Sequence, residues 1–289
     1  MRLSCTHTHT CFCDGKGSIG DFCAAAVQKG FTSLGFSAHA PLPKELGIKS
    51  DWHLSHENCA LYIEQTLEAK EKWRGRLEVY LGMEIDYIDG YMSPADSFFR
   101  NLALDYSIGS VHCVIPAGKS IDWAREFGEA FLCVDGSAED YRLLLEKGFG
   151  GDKRALTDAY YDSLSAMCRA GGFDVLGHAD LVVKNNRSYI YDEHYSKRVE
   201  DFAAELKQNG AIAELNTGGV IRGKTKAFYP APKFLKTLFL NKINITVNAD
   251  AHCPEHLGGC YEAAFAALRE AGYTEHFILH KGIWQAEAL

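Results

Sequence analysis

The alternation of short β-type runs with helical stretches constrains this fold most. Eight β-type runs follow one another along 289 residues, separated by helical segments. They are Arg2–Thr6, Ser33–Ser37, Leu77–Glu84, Asp105–Val111, Phe173–Gly177, Ala211–Leu215, Ile243–Asn248 and Thr274–Leu279. Strands joined through helices need crossover connections, which favours a parallel sheet. A closed α/β barrel is the leading prediction at this length, and an open doubly wound sheet is the alternative.

Helix signals fill the intervals between these runs. Ser137 and Asp140 have the spacing of a capping box, which predicts a helix as far as about Lys147. The other helices are expected at Asp21–Gln28, Ser55–Trp73, Lys153–Arg169, Glu193–Gln208, Ala231–Leu240 and Tyr261–Glu270. No Pro-rich linker or shift in composition divides the chain, so we expect residues 1–289 to form a single domain.

Composition excludes several classes of protein. A hydrophobic content of 47% with 12% aromatic residues is enough for a packed core. The net charge of −8 argues against a broad surface for nucleic acid or anionic membrane. Neither a secretory signal nor a membrane-spanning run is visible, so we expect a cytoplasmic protein without a membrane partner. The ten cysteines are irregularly spaced, which favours reduced thiols over disulfides.

Residues that can bind a metal ion follow almost every β-type run. In chain order they are His7 and His9, His39, Glu84, His112, His178, and Asp250 with His252. The carboxyl ends of all strands in a parallel barrel lie on one face, where active sites are built. Side chains spread over most of the chain would therefore meet in space.

The chemistry of this set is consistent. Residues two apart in an extended segment point the same way, so His7 and His9 can present two imidazoles to one site. Imidazoles with carboxylates suit zinc, iron or manganese. Glu84 has two oxygens that could bridge two ions, and Asp14 could join from a loop. A single histidine at a strand end is more often structural, but six of the twelve histidines occupy equivalent positions, which favours a multi-metal site.

The other six histidines carry weaker signals. His53 and His56 lie near the start of a helix and are expected to face solvent or a loop. His194, His256 and His276 are expected at the surface. His280 ends the last β-type run, and a structural role is favoured for it.

These residues, in this order, resemble the polymerase and histidinol phosphatase (PHP) family of metal-dependent phosphoesterases. The resemblance covers most of the chain. Four stretches look most like the stand-alone histidinol-phosphate phosphatases: Ser-Ala-His-Ala-Pro around His39, Gly-Met-Glu-Ile-Asp-Tyr around Glu84, Ser-Val-His ending at His112, and Glu-Leu-Asn-Thr-Gly-Gly from Glu214.

The resemblance implies a distorted (β/α)7 TIM-like barrel that holds three divalent metal ions at the carboxyl ends of its strands. The eighth β-type run of the chain, Thr274–Leu279, would then lie outside the barrel. By residue match, the first ion would be held by His7, His9, Glu84 and Asp250, the second by Glu84, His112 and His178, and the third by Asp14, His39 and His252. Glu84, Asp250 and His252 are the implied catalytic residues. Zinc, manganese and iron remain open as the metals.

Phosphate contacts are expected from cations in the loops after the fifth and sixth strands. Arg187 and Arg222 are favoured because a guanidinium can make two bonds to phosphate. Lys184 and Lys224 are neighbouring candidates that would act as point charges.

The implied function is hydrolysis of L-histidinol phosphate to L-histidinol and phosphate in histidine biosynthesis. Bound metal ions lower the pKa of water, orient the phosphate and offset its charge. One alternative is an exonuclease or phosphoesterase that acts on nucleotides or DNA ends, which the acidic balance disfavours. Another is a non-catalytic metal-binding module, which would predict missing ligands, yet all nine matched positions carry competent groups. We expect a small-molecule partner and no nucleic acid, and the oligomeric state is open.

Overall fold

Seven parallel strands form the central sheet. The computed structural model describes residues 1–186 and 192–289. The strands are β1 (Leu3–Cys5), β2 (Phe31–His39), β3 (Glu78–Asp86), β4 (Tyr106–Ser110), β5 (Val175–Leu176), β6 (Ile212–Asn216) and β7 (Ile245–Asn248). Each strand pairs in parallel with the next one along the chain. The predicted parallel order is therefore confirmed.

Hydrogen bonds between the two ends of this sheet close it into a nearly complete barrel. The backbone N–H of His9 donates to the carbonyl of Ala251 at 2.9 Å, and the N–H of Ala251 donates to the carbonyl of His7 at 3.2 Å. Thr8 and Ala251 form a parallel bridge there. The distorted seven-stranded barrel is thus confirmed, and its seam joins the two histidines near residue 8 to the end of β7.

Helices cover the outside of the barrel. They are α1 (Ile19–Gln28), α2 (His56–Lys72), α3 (Ser97–Arg100), α4 (Ala138–Leu143), α5 (Lys153–Ala170), α6 (Glu193–Asn209), α7 (Gly218–Ile221), α8 (Pro232–Leu240) and α9 (Tyr261–Ala271). Ser137 forms the predicted capping box with Asp140, but the regular helix ends at Leu143 and a π-helical turn follows over Leu144–Gly148. None of the helices in residues 1–186 and 192–289 is long and apolar enough to cross a bilayer.

A tyrosine fills the barrel interior below its carboxyl face. The side chain of Tyr106 is buried, and its hydroxyl donates to the carbonyl of Thr6. Gly35 and Gly82 make room for this ring, because a methyl group on either would lie 2.4 Å from a Tyr106 atom. The barrel is a packed core, and any site must lie at its end.

The eighth β-type run lies outside the barrel, as the family resemblance implies. β8 (Glu275–His280) pairs antiparallel with β9 (Ile283–Ala288), a strand that the sequence analysis missed. The hairpin packs under the barrel, where Nδ1 of His280 lies 3.0 Å from Oε2 of Glu78 at the start of β3. His280 is therefore remote from the carboxyl ends of the strands, in agreement with a structural role.

The surface position predicted for His276 is wrong. Its side chain is 2% exposed because alternate residues of β8 face the core, and its ring packs on Phe265 of α9 at 5.1 Å between centroids. Neither ring nitrogen has a hydrogen-bond partner. Burial lowers the pKa of His276 to about 4.

This buried imidazole predicts a loss of stability in acid. Between about pH 4 and 6.5 the unfolded chain binds a proton at this residue that the native chain does not, so stability falls as the pH falls through that window. When the pH is lowered from 7 to 5, the free energy of unfolding should fall by about 2 kcal/mol more in the wild type than in His276→Leu. Denaturant unfolding at both pH values measures this difference.

Leu240→Gln, at an exposed position without a titratable group, is the control for this measurement and should keep the wild-type response to pH. Metal ligands contribute equally to all three proteins, so they cancel in the comparison. An unchanged pH response in His276→Leu would contradict the prediction.

Candidate metal centre

The structure gathers the nine predicted ligand side chains at the carboxyl ends of the strands. Seven of them are buried: His7, His9, His39, Glu84, His112, His178 and Asp250. At the rim, His252 is half-buried and Asp14 is exposed. The barrel explains this gathering, because β1, β2, β3, β4, β5 and β7 each deliver one or two of these residues at the same end. The seam between His7 and Ala251 brings together residues that lie more than 240 positions apart in the sequence.

Glu84 lies at the centre of the cluster. Its Oε2 atom lies 3.2 Å from Nε2 of His7, 3.4 Å from Nε2 of His9 and 3.0 Å from Nδ1 of His39. Its Oε1 atom lies 2.9 Å from Nε2 of His178 and 3.6 Å from Nε2 of His112. One carboxylate thus faces five imidazoles, with its two oxygens turned to different sides, as a bridging ligand requires.

The donor atoms fit divalent metal ions. Five buried atoms of the cluster have no hydrogen-bond partner: Nε2 of His7, Nε2 of His9, Nδ1 of His39, Oε2 of Glu84 and Nδ1 of His178. Buried polar atoms without partners are costly, and coordination of a cation would satisfy them. Imidazole nitrogens and carboxylate oxygens are ligands that zinc, iron and manganese accept.

Four groups of side chains have ligand atoms within 4.8 Å of one another. They are His7 with Glu84 and His178; His7 with His9 and Asp250; His39 with Glu84 and His112; and His9 with Asp14, His39 and His252. These groups overlap with the three ligand sets that the resemblance implies, and they add His9 to the set around Asp14. The exact division among ions stays a prediction.

Electrostatics keep the carboxylates ready to bind a cation. Burial by itself would raise the pKa of Glu84, but the neighbouring His7, His39 and His112 hold it well below the usual range. Burial also opposes ionisation of Asp14, but its hydrogen bond with His252 and the nearby imidazoles lower its pKa. Both groups are therefore anionic at neutral pH, which is the form that ligates metals.

A second layer of carboxylates orients the imidazoles. Oε1 of Glu214 lies 2.8 Å from Nδ1 of His7, and its Oε2 accepts the backbone N–H of His178 at 3.0 Å. Oδ1 of Asp86 lies 2.6 Å from Nδ1 of His112. Such partners turn the opposite ring nitrogen toward the metal and raise its basicity. Both carboxylates lie within the motifs that carry the family resemblance, but no role was predicted for either.

His53 extends this layer, so its predicted place at solvent or in a loop is wrong. The ring is buried, with Nε2 3.0 Å from Oδ2 of Asp86 and Nδ1 2.7 Å from Oγ of Ser50. Asp86 follows Glu84 by two residues on β3, and period-two spacing places both on the interior face. That spacing was the signal that could have found Asp86. No local pattern marks His53, because the contact is made across the fold.

A cavity of 610 Å³ opens above the ligands, and three of the predicted phosphate-binding cations line it. Nη2 of Arg222 lies 2.9 Å from Oδ2 of Asp250, and its Nη1 donates to Nδ1 of His252 at 2.9 Å. The ammonium of Lys184 donates to the Asp135 carbonyl at 2.6 Å. Lys224 has no side-chain partner within the described ranges. Arg187 lies outside the described residues.

Comparison with known proteins identifies the family. A model of the PHP domain matches residues 6–218, which is more than half of the chain. The chain belongs to the PHP domain family. The match includes seven of the nine ligand residues, from His7 to His178, and the family resemblance seen in the sequence is confirmed.

Relatives and solved structures extend this similarity over nearly the whole chain. A histidinol-phosphatase of Bacillus subtilis is 27% identical over 270 residues, covering 89% of this chain and 96% of the relative. A solved structure from Listeria monocytogenes superposes with a TM-score of 0.77 at 21% identity, covering 90% of this chain and 99% of the other. A histidinol phosphate phosphatase of Lactococcus lactis, solved with zinc, L-histidinol and phosphate, gives a TM-score of 0.69 at 16% identity, covering 98% and 99%. Both structures support the barrel fold.

The central position of Glu84 predicts that it governs metal content. Glu84→Gln keeps the size of the side chain but removes the charge shared by five imidazoles. We expect the protein to lose at least one metal ion per chain and turnover to fall by three decades or more, roughly 4 kcal/mol. Elemental analysis of purified protein, together with phosphatase assays, measures both quantities.

Glu78→Gln is the matched control, because Glu78 lies on the same strand but at the opposite end of the barrel. It should keep the wild-type metal content. Full metal content with near-normal turnover in Glu84→Gln would refute the bridging role.

Asp14 should affect one ion only. Its carboxylate contributes to the group with His9, His39 and His252 and to none of the other three. Asp14→Ala should therefore lower the occupancy of one ion and spare the rest, as counted by elemental analysis. Asp21→Ala, at the exposed start of α1, is the control and should keep every ion. Unchanged stoichiometry in Asp14→Ala would exclude Asp14 as a ligand.

Proposed function

We propose that this chain is a metal-dependent phosphomonoesterase that hydrolyses L-histidinol phosphate to L-histidinol and phosphate in histidine biosynthesis. The observation that carries the proposal is the buried Glu84–imidazole cluster at the floor of a cavity with a cationic rim. A phosphate monoester needs both features, because it must be oriented and its charge must be balanced. The relative from Bacillus subtilis, matched along almost its whole length, is named for this activity.

Three divalent ions, of zinc, manganese or iron, are the proposed cofactors. The nine clustered side chains would hold them in the three sets described for the family resemblance, with Glu84 shared between two. Bound ions would supply an acidified water and electrostatic stabilisation of the phosphoryl group. The zinc in the Lactococcus lactis structure supports metal dependence, while the number and identity of the ions here stay a proposal.

The proposed catalytic residues act by holding charge in place. Glu84 and Asp250 supply buried negative charge, and Asp250 also fixes the guanidinium of Arg222. Arg222 donates to Nδ1 of His252. The opposite ring nitrogen, Nε2 of His252, therefore faces Asp14 at 3.0 Å and the cluster beyond Asp14. Arg222 is thereby held rigidly over the cluster, in position to donate to a phosphate oxygen.

Aromatic side chains limit the access of water to the ligands. Trp52 packs edge-on against His39 at 4.8 Å and against His112 at 5.4 Å between ring centroids. Phe131 lies 5.8 Å from Trp52 and continues this wall. Exclusion of bulk water strengthens the electrostatic contacts inside the cavity.

We further propose that residues 1–289 make one domain, acting in the cytoplasm on a small phosphate ester rather than on nucleic acid. The backbone N–H of Arg2 donates to Oε1 of Glu287 at 2.9 Å, so the two ends of the chain pack together. The net charge of −8 also disfavours a nucleic-acid partner.

The proposed phosphate contacts can be tested by kinetics on L-histidinol phosphate. Arg222→Ala should lower kcat/KM by at least about 30-fold, roughly 2 kcal/mol, because a charge-assisted bond to phosphate is lost. Lys224→Ala should lower it as well and leave the metal content intact, since the Lys224 ammonium has no side-chain partner in the described residues. Lys226→Ala, two residues away and outside the cavity lining, is the control.

Wild-type kcat/KM in both Arg222→Ala and Lys224→Ala would remove these residues from the site. Arg187→Ala belongs to the same series, and its role stays a prediction from sequence. A panel of phosphomonoesters and a labelled single-stranded DNA tests the reaction itself. Cleavage of the DNA with no turnover of L-histidinol phosphate would overturn the proposed function.

A further inference from the structure

Two cysteines that the proposed reaction does not use lie beside the metal cluster. Cys113 directly follows His112, and Cys133 lines the cavity. Both thiols are free and buried, with exposures of 4% and 9%, and their Sγ atoms lie 2.9 Å apart. No other two cysteine sulfurs in residues 1–186 and 192–289 lie within hydrogen-bonding distance of each other.

The backbone at this pair already has the geometry of a cross-strand disulfide. Cys113 and Cys133 form an antiparallel bridge, and the N–H of Val134 donates to the carbonyl of His112 at 2.8 Å. This bond flanks the two cysteines, so they occupy a non-hydrogen-bonded pair. Cα atoms in such pairs are about 4.5 Å apart, which lies within the range that disulfides span. A bond between the sulfurs therefore needs little movement of the chain.

We propose that Cys113 and Cys133 form a reversible dithiol–disulfide site. It fastens the part of the cavity wall around Cys133 to the strand end that carries His112. The oxidant is a low-molecular-weight disulfide. Cys133, which borders the cavity, attacks it and releases one small thiol; Cys113 then attacks the mixed disulfide and releases the second. One S–S bond breaks in the reagent and one forms in the protein, and the two thiol protons leave on the two reagent thiols.

The wall that this bond would fasten includes residues on both sides of Cys133. The cavity-lining residues of this wall are Glu129, Ala130, Phe131, Cys133, Asp135 and Gly136. Besides the backbone bond from Val134, side-chain contacts hold this wall, since Lys184 donates to Asp135, and Asn185 donates to the carbonyls of Val134 and Gly136. A disulfide would add a covalent tie to this wall.

The site acts on the wall and not on the ions. Neither sulfur belongs to any of the four candidate ligand groups. Oxidation should therefore leave metal content unchanged, whatever the reaction that the cluster catalyses. Only the turnover measurement rests on the proposed function, while the covalent and stability measurements stand without it.

Peptide mapping of the metal-loaded protein tests the bond directly. The protein is incubated with oxidised glutathione until the exposed Cys11 and Cys260 are modified, and it is then digested under non-reducing conditions. We expect a peptide that links Cys113 to Cys133, lighter than its reduced parts by two hydrogen atoms and released by dithiothreitol. Buried thiols react slowly, so the incubation runs for hours. Complete modification of Cys11 and Cys260 without this linked peptide would overturn the proposal.

Thermal unfolding tests what the bond does. Oxidation should raise Tm by roughly 5 °C, because a cross-link that closes a loop restricts the unfolded chain. Metal content should not change, and turnover of L-histidinol phosphate should stay within about twofold. Cys133→Ser should lose the shift, while Cys168→Ser, at a buried position of α5, should keep it. An equal shift in Cys133→Ser would contradict the assignment, and the mapping of the wild type stands even if that variant fails to fold.

Discussion

The buried carboxylate of Glu84 is the constraint on which the rest of the centre depends. A charged group with 1% exposure is stable only when it is paired, and here its partners are five imidazoles delivered by four strands. These imidazoles must in turn be delivered to the same point from four separate parts of the chain. A parallel barrel does this, because the carboxyl ends of its strands meet at one face.

The polar side chains around the cluster fix the orientation of its imidazole rings. Glu214 and Asp86 each hold the Nδ1 side of a histidine, so the Nε2 side of that ring faces Glu84. Below, Tyr106 fills the barrel and leaves no room for the ligands to sink into its interior. Above, Arg222 is fixed by Asp250 and His252. The centre is thus rigid on the protein side and open only toward the cavity.

The local signals in the sequence predicted the repeated units well. The alternation of strands and helices, the capping box at Ser137, and the run of histidines and carboxylates after the strands all have short-range causes in periodicity and hydrogen bonding. The prediction failed where the cause was long-range. His276 and His53 resemble surface histidines in sequence, and only the packing of β8 on α9 and the contact with Asp86 bury them. β9 was missed because it follows the last apolar run in the sequence, and only its pairing with β8 shows that it is a strand.

The sequence alone determined which residues can serve as ligands, because residue type and position after each strand follow from local pattern. It also determined the parallel order of the sheet, since each strand is followed by a helix. Only the tertiary structure decided which oxygen of Glu84 faces which imidazole, that Lys184 is engaged by Asp135 while Lys224 has no side-chain partner in the described residues, and that Cys113 meets Cys133. Those facts depend on the closure of the barrel and on the loops that cross its mouth. The contacts join residues that are far apart in the sequence, and no local pattern shows that they are close in space.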